Sequence, residues 1–239
     1  MADVDPIDLT ELVGAARAGD EVAFGRIVER FRPELQLHCY RMLGSLDEAE
    51  DTVQDVWLQA WRNLDGFEGR ASVRTWLYRI ATNACLARRT RDRRRRRILA
   101  AGTVVDGTAL PIAATVPWLQ PCPDDLIDQV AERLPEPADQ LTSRETVEIA
   151  FIAALQHLPP RQRAALVLRD IAGWSIDKCA AELGTSPAGV NSALQRGRAT
   201  VRRHLGPSRD AWPAAGTTVE RSVVRRYIAA IEAAADKAG

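Results

Sequence analysis

The 239-residue chain has almost no lysine: arginine supplies 30 of its 32 cationic side chains. Guanidinium groups form forked hydrogen bonds with phosphates and base edges, so the bias fits nucleic-acid contact, and it fits a biased genome composition equally. Cysteine is also scarce. Cys39, Cys85, Cys122 and Cys179 make no CxxC pair, and His38, His157 and His204 do not gather beside them. That spacing argues against a disulfide framework and a structural metal centre, so no metal and no cofactor is expected. It also leaves no convergent cluster of nucleophile and base, so the chain does not read as an enzyme. No stretch approaches the roughly 18 uninterrupted apolar residues of a membrane helix. Met1 to Asp5 is acidic and lacks the apolar core of a secretory signal, so no membrane association and a cytoplasmic location are expected. The apolar fraction of 46 % is enough for a core and excludes global disorder.

Net charge is zero as well, but the balance conceals a pattern. Residues 1–68 carry a net −9, residues 69–97 a net +10, residues 98–141 a net −6, and residues 142–207 a net +4. Such a chain can offer one face to a polyanion and another to a basic partner. Eight arginines stand among the ten residues 88–97. They repel one another unless phosphates or counter-ions lie close, so this run is either a polyanion contact or a solvated helix end.

Helix signals dominate and strand signals are few, which predicts an all-α fold. Asp5 and Pro6 open a first helix closing near Gly19. Asp20 caps a second, with Phe24, Ile27, Val28 and Phe31 as its stripe, kinked or restarted at Pro33 before Gly44. Ser45 and Glu48 form a capping box for a third helix running to about Leu64, with Val53, Val56, Trp57, Ala60 and Trp61 on its apolar side. Leu64 to Ala71 is a loop. Ser72 caps a fourth helix bearing Val73, Trp76, Leu77, Ile80 and Ala84, which runs into the arginine tract. These elements make one small helical domain over residues 5–97.

Residues 98–141 hold six of the 13 prolines and no sustained period, the mark of a long acidic linker. Trp118 and Leu119 within it form either a docking patch or a local tuck. Residues 142–207 form a second helical unit. Thr142 and Glu145 make a capping box, Pro159-Pro160 breaks the chain direction, and Arg161 to Ile171 is helical up to Gly173. Ser175 caps a short helix from Ile176 to Leu183, closed by Gly184. Ser186 and Pro187 are an N-cap and first-turn pair for a last helix running to Leu205. A short helix, a tight turn and a longer helix is the geometry of a helix-turn-helix. Val190, Leu194, Val201 and Leu205 face inward. Asn191, Ser192, Gln195, Arg196, Arg198, Arg202 and Arg203 are left for base edges and phosphates, or for a merely solvated basic face. Residues 208–239 carry one amphipathic helix, Thr217 to Asp236.

Gly173 to Ser186 followed by Val190 to Arg196 resembles region 4 of a bacterial extracytoplasmic-function (ECF) sigma factor of the sigma-70 family. Asp47 to Trp57 resembles region 2.2 of the same family, and Arg74 to Leu86 resembles regions 2.3 and 2.4. Two independent motifs in the family's order are more specific than one helix-turn-helix. The linker from Val116 to Asp124 is further similar to the sigma-factor group carrying a C-terminal SnoaL-like domain, of which Thr217 to Asp236 resembles the first helix.

The resemblance implies roles. Asp47, Glu50, Asp51, Gln54, Asp55, Leu58 and Trp61 would dock on the β′ clamp helices of core RNA polymerase, with region 4 meeting the β flap. Asp65, Gly66, Phe67 and Gly69 would wall a pocket for a base flipped from the −10 element, although Phe67 serves equally as a loop anchor. Arg70, Trp76, Arg79 and Asn83 would touch the −10 strand, and Arg88 and Arg89 its phosphates. Ser186, Ala188, Asn191, Ser192, Gln195, Arg196, Arg198 and Arg202 would read the −35 element. Promoter DNA, core polymerase and an anti-sigma or other regulatory protein are the partners implied. The acidic linker would thread a channel built for RNA, or act as an inert tether. The competing reading is a stand-alone helix-turn-helix regulator that binds DNA without polymerase.

Overall fold

The computed structural model describes residues 9–91, 104–105, 108–109, 116, 118–131 and 149–205. The helix opening at Asp5 and Pro6, the capping box at Thr142 and Glu145, most of the arginine tract and the helix Thr217 to Asp236 lie outside the described residues. The architecture is helical, apart from an antiparallel pair of two-residue strands, β1 (Val104–Val105) and β2 (Thr108–Ala109).

Four helices make the first unit: α1 (Leu9–Arg17), α2 (Glu21–Leu43), α3 (Leu46–Arg62) and α4 (Val73–Arg91). Asp20 starts α2 by accepting the amides of Val22 and Ala23. Pro33 does not restart α2: the helix is continuous over 23 residues. A mid-helix proline costs about 3 kcal/mol. Buried Ile27 and Phe31 on one side and Leu35 and Leu37 on the other anchor both halves to the same core. At about 2 kcal/mol for each buried large apolar side chain, that packing outweighs the proline. Gly44 ends α2 at φ +75°, and its amide returns to the Tyr40 carbonyl. Ser72 caps α4 through the amide of Thr75.

The acidic linker is not wholly irregular. Asp124–Ala131 forms α5. Leu126, Ile127 and Val130 are buried, and Ile127 and Val130 belong to the apolar core. Leu119 is half-buried against that core, so it is tucked into the protein. The proline spacing around residues 117–123 disguised this arm as a tether.

The second unit comprises α6 (Ile149–Gln156), α7 (Pro160–Leu166) continuing into a π-helical turn (Val167–Ile171), α8 (Ile176–Leu183) and α9 (Pro187–Leu205). Ser175 caps α8 and Ser186 caps α9, through the amides of Lys178 and Gly189. Val190, Leu194 and Val201 face inward. One apolar cluster runs without a break from Val13 in α1 to Val201 in α9. The two units therefore pack against each other.

Arg163 sits at that junction, 2 % exposed. It donates to the carbonyls of Leu155, Gln156 and Leu158 and to Gln156 Oε1, gathering the end of α6. It also donates to Met42 O of α2 at 2.5 Å. Carbonyls at a helix C-terminus carry partial negative charge, which a buried guanidinium offsets.

Candidate nucleic-acid interface

The acidic face of α3 follows from its period. Ala49, Val53, Val56 and Ala60 are buried, which turns Asp47, Glu50, Asp51, Gln54, Asp55 and Leu58 outward. Trp61, 38 % exposed, lies 4.9 Å from the Phe24 ring, and Leu58 beside it is 55 % exposed. An apolar pair rimmed by carboxylates is what a basic partner with an apolar anchor pocket needs. Some of these carboxylates are already engaged. Gln36 donates to Glu50 at 3.0 Å, and Arg88 pairs with Asp51 at 3.0 Å. Trp57 is buried, so it belongs to the core rather than to this surface.

The loop after α3 begins with a 3-10 turn, Leu64–Gly66, and exposes Asp65, Gly66, Gly69 and Arg70. Arg70 pairs with Glu68. Phe67 is buried and lies 5.1 Å from the half-buried Trp76 ring, so it anchors the loop to α4. Arg79 and Asn83 lie one turn apart on α4 and are exposed. Both face Glu182 of α8: Asn83 Nδ2 donates to Glu182 Oε1 at 3.1 Å, and Arg79 Nε lies 3.6 Å from Oε2. Burial raises the Glu182 pKa, and Arg79 and Asn83 oppose that rise. Beside them Lys178 donates to Thr75 Oγ1 at 2.8 Å and stands 4.0 Å over the Trp174 ring, which lies 6.2 Å from Tyr78. The side chain of Arg89 lies outside the described residues.

On α9 the reading face is open. Ser186, Ala188, Asn191, Ser192, Gln195 and Arg196 are exposed, and Arg202 is half-buried. Adding a Cβ at Gly189 would place it 2.4 Å from Thr185 Oγ1, so the glycine lets the turn close against α9. Arg198 differs from its neighbours. Its Nε and Nη2 donate to both carboxylate oxygens of Asp170 on the π-helical turn, at 3.0 and 2.6 Å. Both partners are largely buried, so this arginine fixes α9 to the scaffold.

Two family models match the chain: Sigma-70 region 2 over residues 27–96 and Sigma-70, region 4 over residues 148–201. SigM of Mycobacterium tuberculosis, an ECF RNA polymerase sigma factor, is 34 % identical over 196 residues, covering 82 % of this chain and 84 % of SigM. The chain belongs to the ECF RNA polymerase sigma factors. SigG of the same organism is 43 % identical over 221 residues, or 91 % of this chain. The chain spans 57 % of the length of SigG. The crystal structure of M. tuberculosis SigJ is 26 % identical, with a TM-score of 0.47, covering 74 % of this chain and 52 % of SigJ.

In this sigma factor α4 and α9 belong to the segments matched by regions 2 and 4 respectively. No local signal marks the contact of α8 with Arg79 and Asn83, because it joins residues as much as 99 positions apart. The same holds for the Asp170–Arg198 pair, whose members lie 28 positions apart. No helix among the described residues is long and apolar enough to cross a membrane, and no group of three or more His, Cys, Asp or Glu side chains there could hold a metal ion.

Proposed function

We propose that this chain binds core RNA polymerase, recognises the −10 and −35 promoter elements and helps open the DNA for transcription initiation. The observation that carries the reading is the pairing, on one chain, of an outward acidic helix bearing Leu58 and Trp61 with a free helix-turn-helix reading face at Asn191, Ser192, Gln195 and Arg196. The similarity to SigM and SigG supports it. Residues 5–97 would serve polymerase and the −10 element, residues 98–141 would link the two units, and residues 142–207 would serve the −35 element. Residues 208–239 would carry the first helix of a SnoaL-like domain, as the resemblance of Thr217 to Asp236 and of the linker to that group implies. The protein would act in the cytoplasm, perform no covalent chemistry and take an anti-sigma or other regulatory protein as a further partner.

In the arrangement described, α8 holds Arg79 and Asn83. A −10 strand meeting these exposed residues would compete with Glu182 for their polar groups, so strand binding and release of α8 from α4 would be coupled. The test is co-elution with core polymerase in size-exclusion chromatography, beside the Asp51→Ala/Asp55→Ala variant, followed by run-off transcription. Co-elution weakened in the variant, with promoter-dependent transcripts from the wild type, is the expected result. DNA binding by a folded chain that never co-elutes would favour the stand-alone regulator.

A further inference from the structure

A helix begins with backbone amides that have no partner inside it. For α3 those amides are met in an unusual way. Ser45, the local cap, reaches only Glu48 N, at 3.4 Å. The amides of Leu46 and Asp47 instead donate to Oε1 of Gln120, at 2.6 and 3.2 Å. Ser45 Oγ donates to the same oxygen at 2.9 Å. The other end of that amide is used too: Gln120 Nε2 donates to Asp47 Oδ2 at 2.7 Å. The backbone of Gln120 is fixed at the same corner. Its N–H donates to Gly44 O at 3.2 Å, and its carbonyl accepts the Tyr40 hydroxyl at 2.7 Å.

The chemistry of this contact selects an amide. One atom must accept from backbone N–H groups while its neighbour donates to a carboxylate. A glutamate would accept but would repel Asp47, a lysine could not accept, and an alanine would do neither. The surroundings hold the amide in place. Val116 is buried before it, Leu119 and Cys122 are half-buried on either side, and α5 packs beyond it.

We propose that Gln120 is a positioning residue for polymerase docking: it caps α3 from the linker and fixes the Asp47 carboxylate, so that the arm 118–131 and the acidic face of α3 present one rigid surface. The proposal rests on the reading of α3 as the polymerase-binding helix. It makes the linker part of the docking surface instead of a tether between two independent units.

The experiment uses the full chain and core RNA polymerase. Binding is titrated for the wild type, Gln120→Ala, Gln120→Glu, Asp47→Asn and the double variant Gln120→Glu/Asp47→Asn, under conditions where circular dichroism shows each to be folded. Amide hydrogen exchange at Leu46 and Asp47 is read on the free chains. Loss of a helix cap predicts about fivefold faster exchange at these two amides, and about fivefold weaker polymerase binding, for Gln120→Ala. Gln120→Glu weakens binding further. The double variant restores an amide–carboxylate contact with the roles exchanged, so it binds more tightly than the two single changes predict together. A merely structural role would lower stability and leave the polymerase affinity of the folded chain unchanged. Faster exchange with unchanged polymerase affinity in Gln120→Ala, or strictly additive single changes, would overturn the proposal. If the folded wild type does not bind polymerase, the docking reading and the positioning role fall together, whereas unchanged exchange removes the cap alone.

Discussion

Glu182 of α8 receives Asn83 and Arg79 of α4 on its two carboxylate oxygens, at 3.1 and 3.6 Å. Two of the exposed side chains proposed to meet the −10 strand thereby contact the helix-turn-helix unit. Glu182→Ala removes the shared acceptor and should weaken the α8–α4 contact by about 1 kcal/mol. If opening limits access to α4, a labelled −10 single strand binds the variant about fivefold more tightly in fluorescence anisotropy. A loss of stability with unchanged affinity would place the strand elsewhere on the chain.

Arg163 tests the junction itself. Its guanidinium joins the carbonyls that end α6 to Met42 O of α2, all in a dry setting. Arg163→Ala strands several buried acceptors at once and should cost about 3 kcal/mol in urea unfolding. Arg163→Lys keeps the charge, but a single ammonium cannot span both helices, so part of the loss remains. A variant within about 0.5 kcal/mol of the wild type would show that water replaces the guanidinium at no cost.

Much of this was legible from sequence because its causes are local. Asp20, Ser72, Ser175 and Ser186 announce their helices by capping residues a few positions away, and Gly44 and Gly184 close helices by adopting positive φ. The outward set on α3 and the inward set on α9 follow from a 3.6-residue period. What escaped depends on distant partners. Pro33 stays within a continuous helix because the core on both sides outweighs a local penalty. α5 was hidden because eight residues between proline-rich stretches give too short a period to stand out. Arg198 carries the same residue-level signal as Arg196, and only the fold shows that Asp170 holds one of them.

His38 gives the fold a pH dependence. It is buried, lies 3.0 Å from Thr82 Oγ1 through Nε2, and its ring is tilted against that of Tyr78, 4.7 Å between centroids. Burial first, then the charges of Arg41 and Arg74, lower its pKa to about 3, against 6.5 when exposed. The unfolded chain therefore takes up a proton below pH 6.5 that the folded chain refuses. The contribution to stability is complete above that pH and is lost as pH falls towards 3, amounting to about 2 kcal/mol at pH 5. Urea titrations at pH 7 and pH 5 should show His38→Gln less stable than the wild type at pH 7 but less sensitive to the change. An equal pH response in both proteins would mean that the imidazole is protonated in the fold.

Arg196 and Arg198 stand two residues apart on α9 and should behave oppositely. Arg196 is exposed, while Arg198 is bound by Asp170. Against a −35 duplex, Arg196→Ala should weaken binding and reduce the slope of log K on log salt by about 1, as loss of one phosphate contact does. Its unfolding free energy should stay within about 0.5 kcal/mol of the wild type. Arg198→Ala leaves Asp170 without its bidentate partner and should cost about 2 kcal/mol of stability. Its salt slope should match the wild type, because the guanidinium was neutralised before any DNA arrived. The Asp170→Asn variant separates the two roles: if it frees Arg198 to reach phosphate, the salt slope rises as stability falls. An Arg198→Ala protein that kept its stability but lost salt slope would instead place this arginine among the DNA contacts.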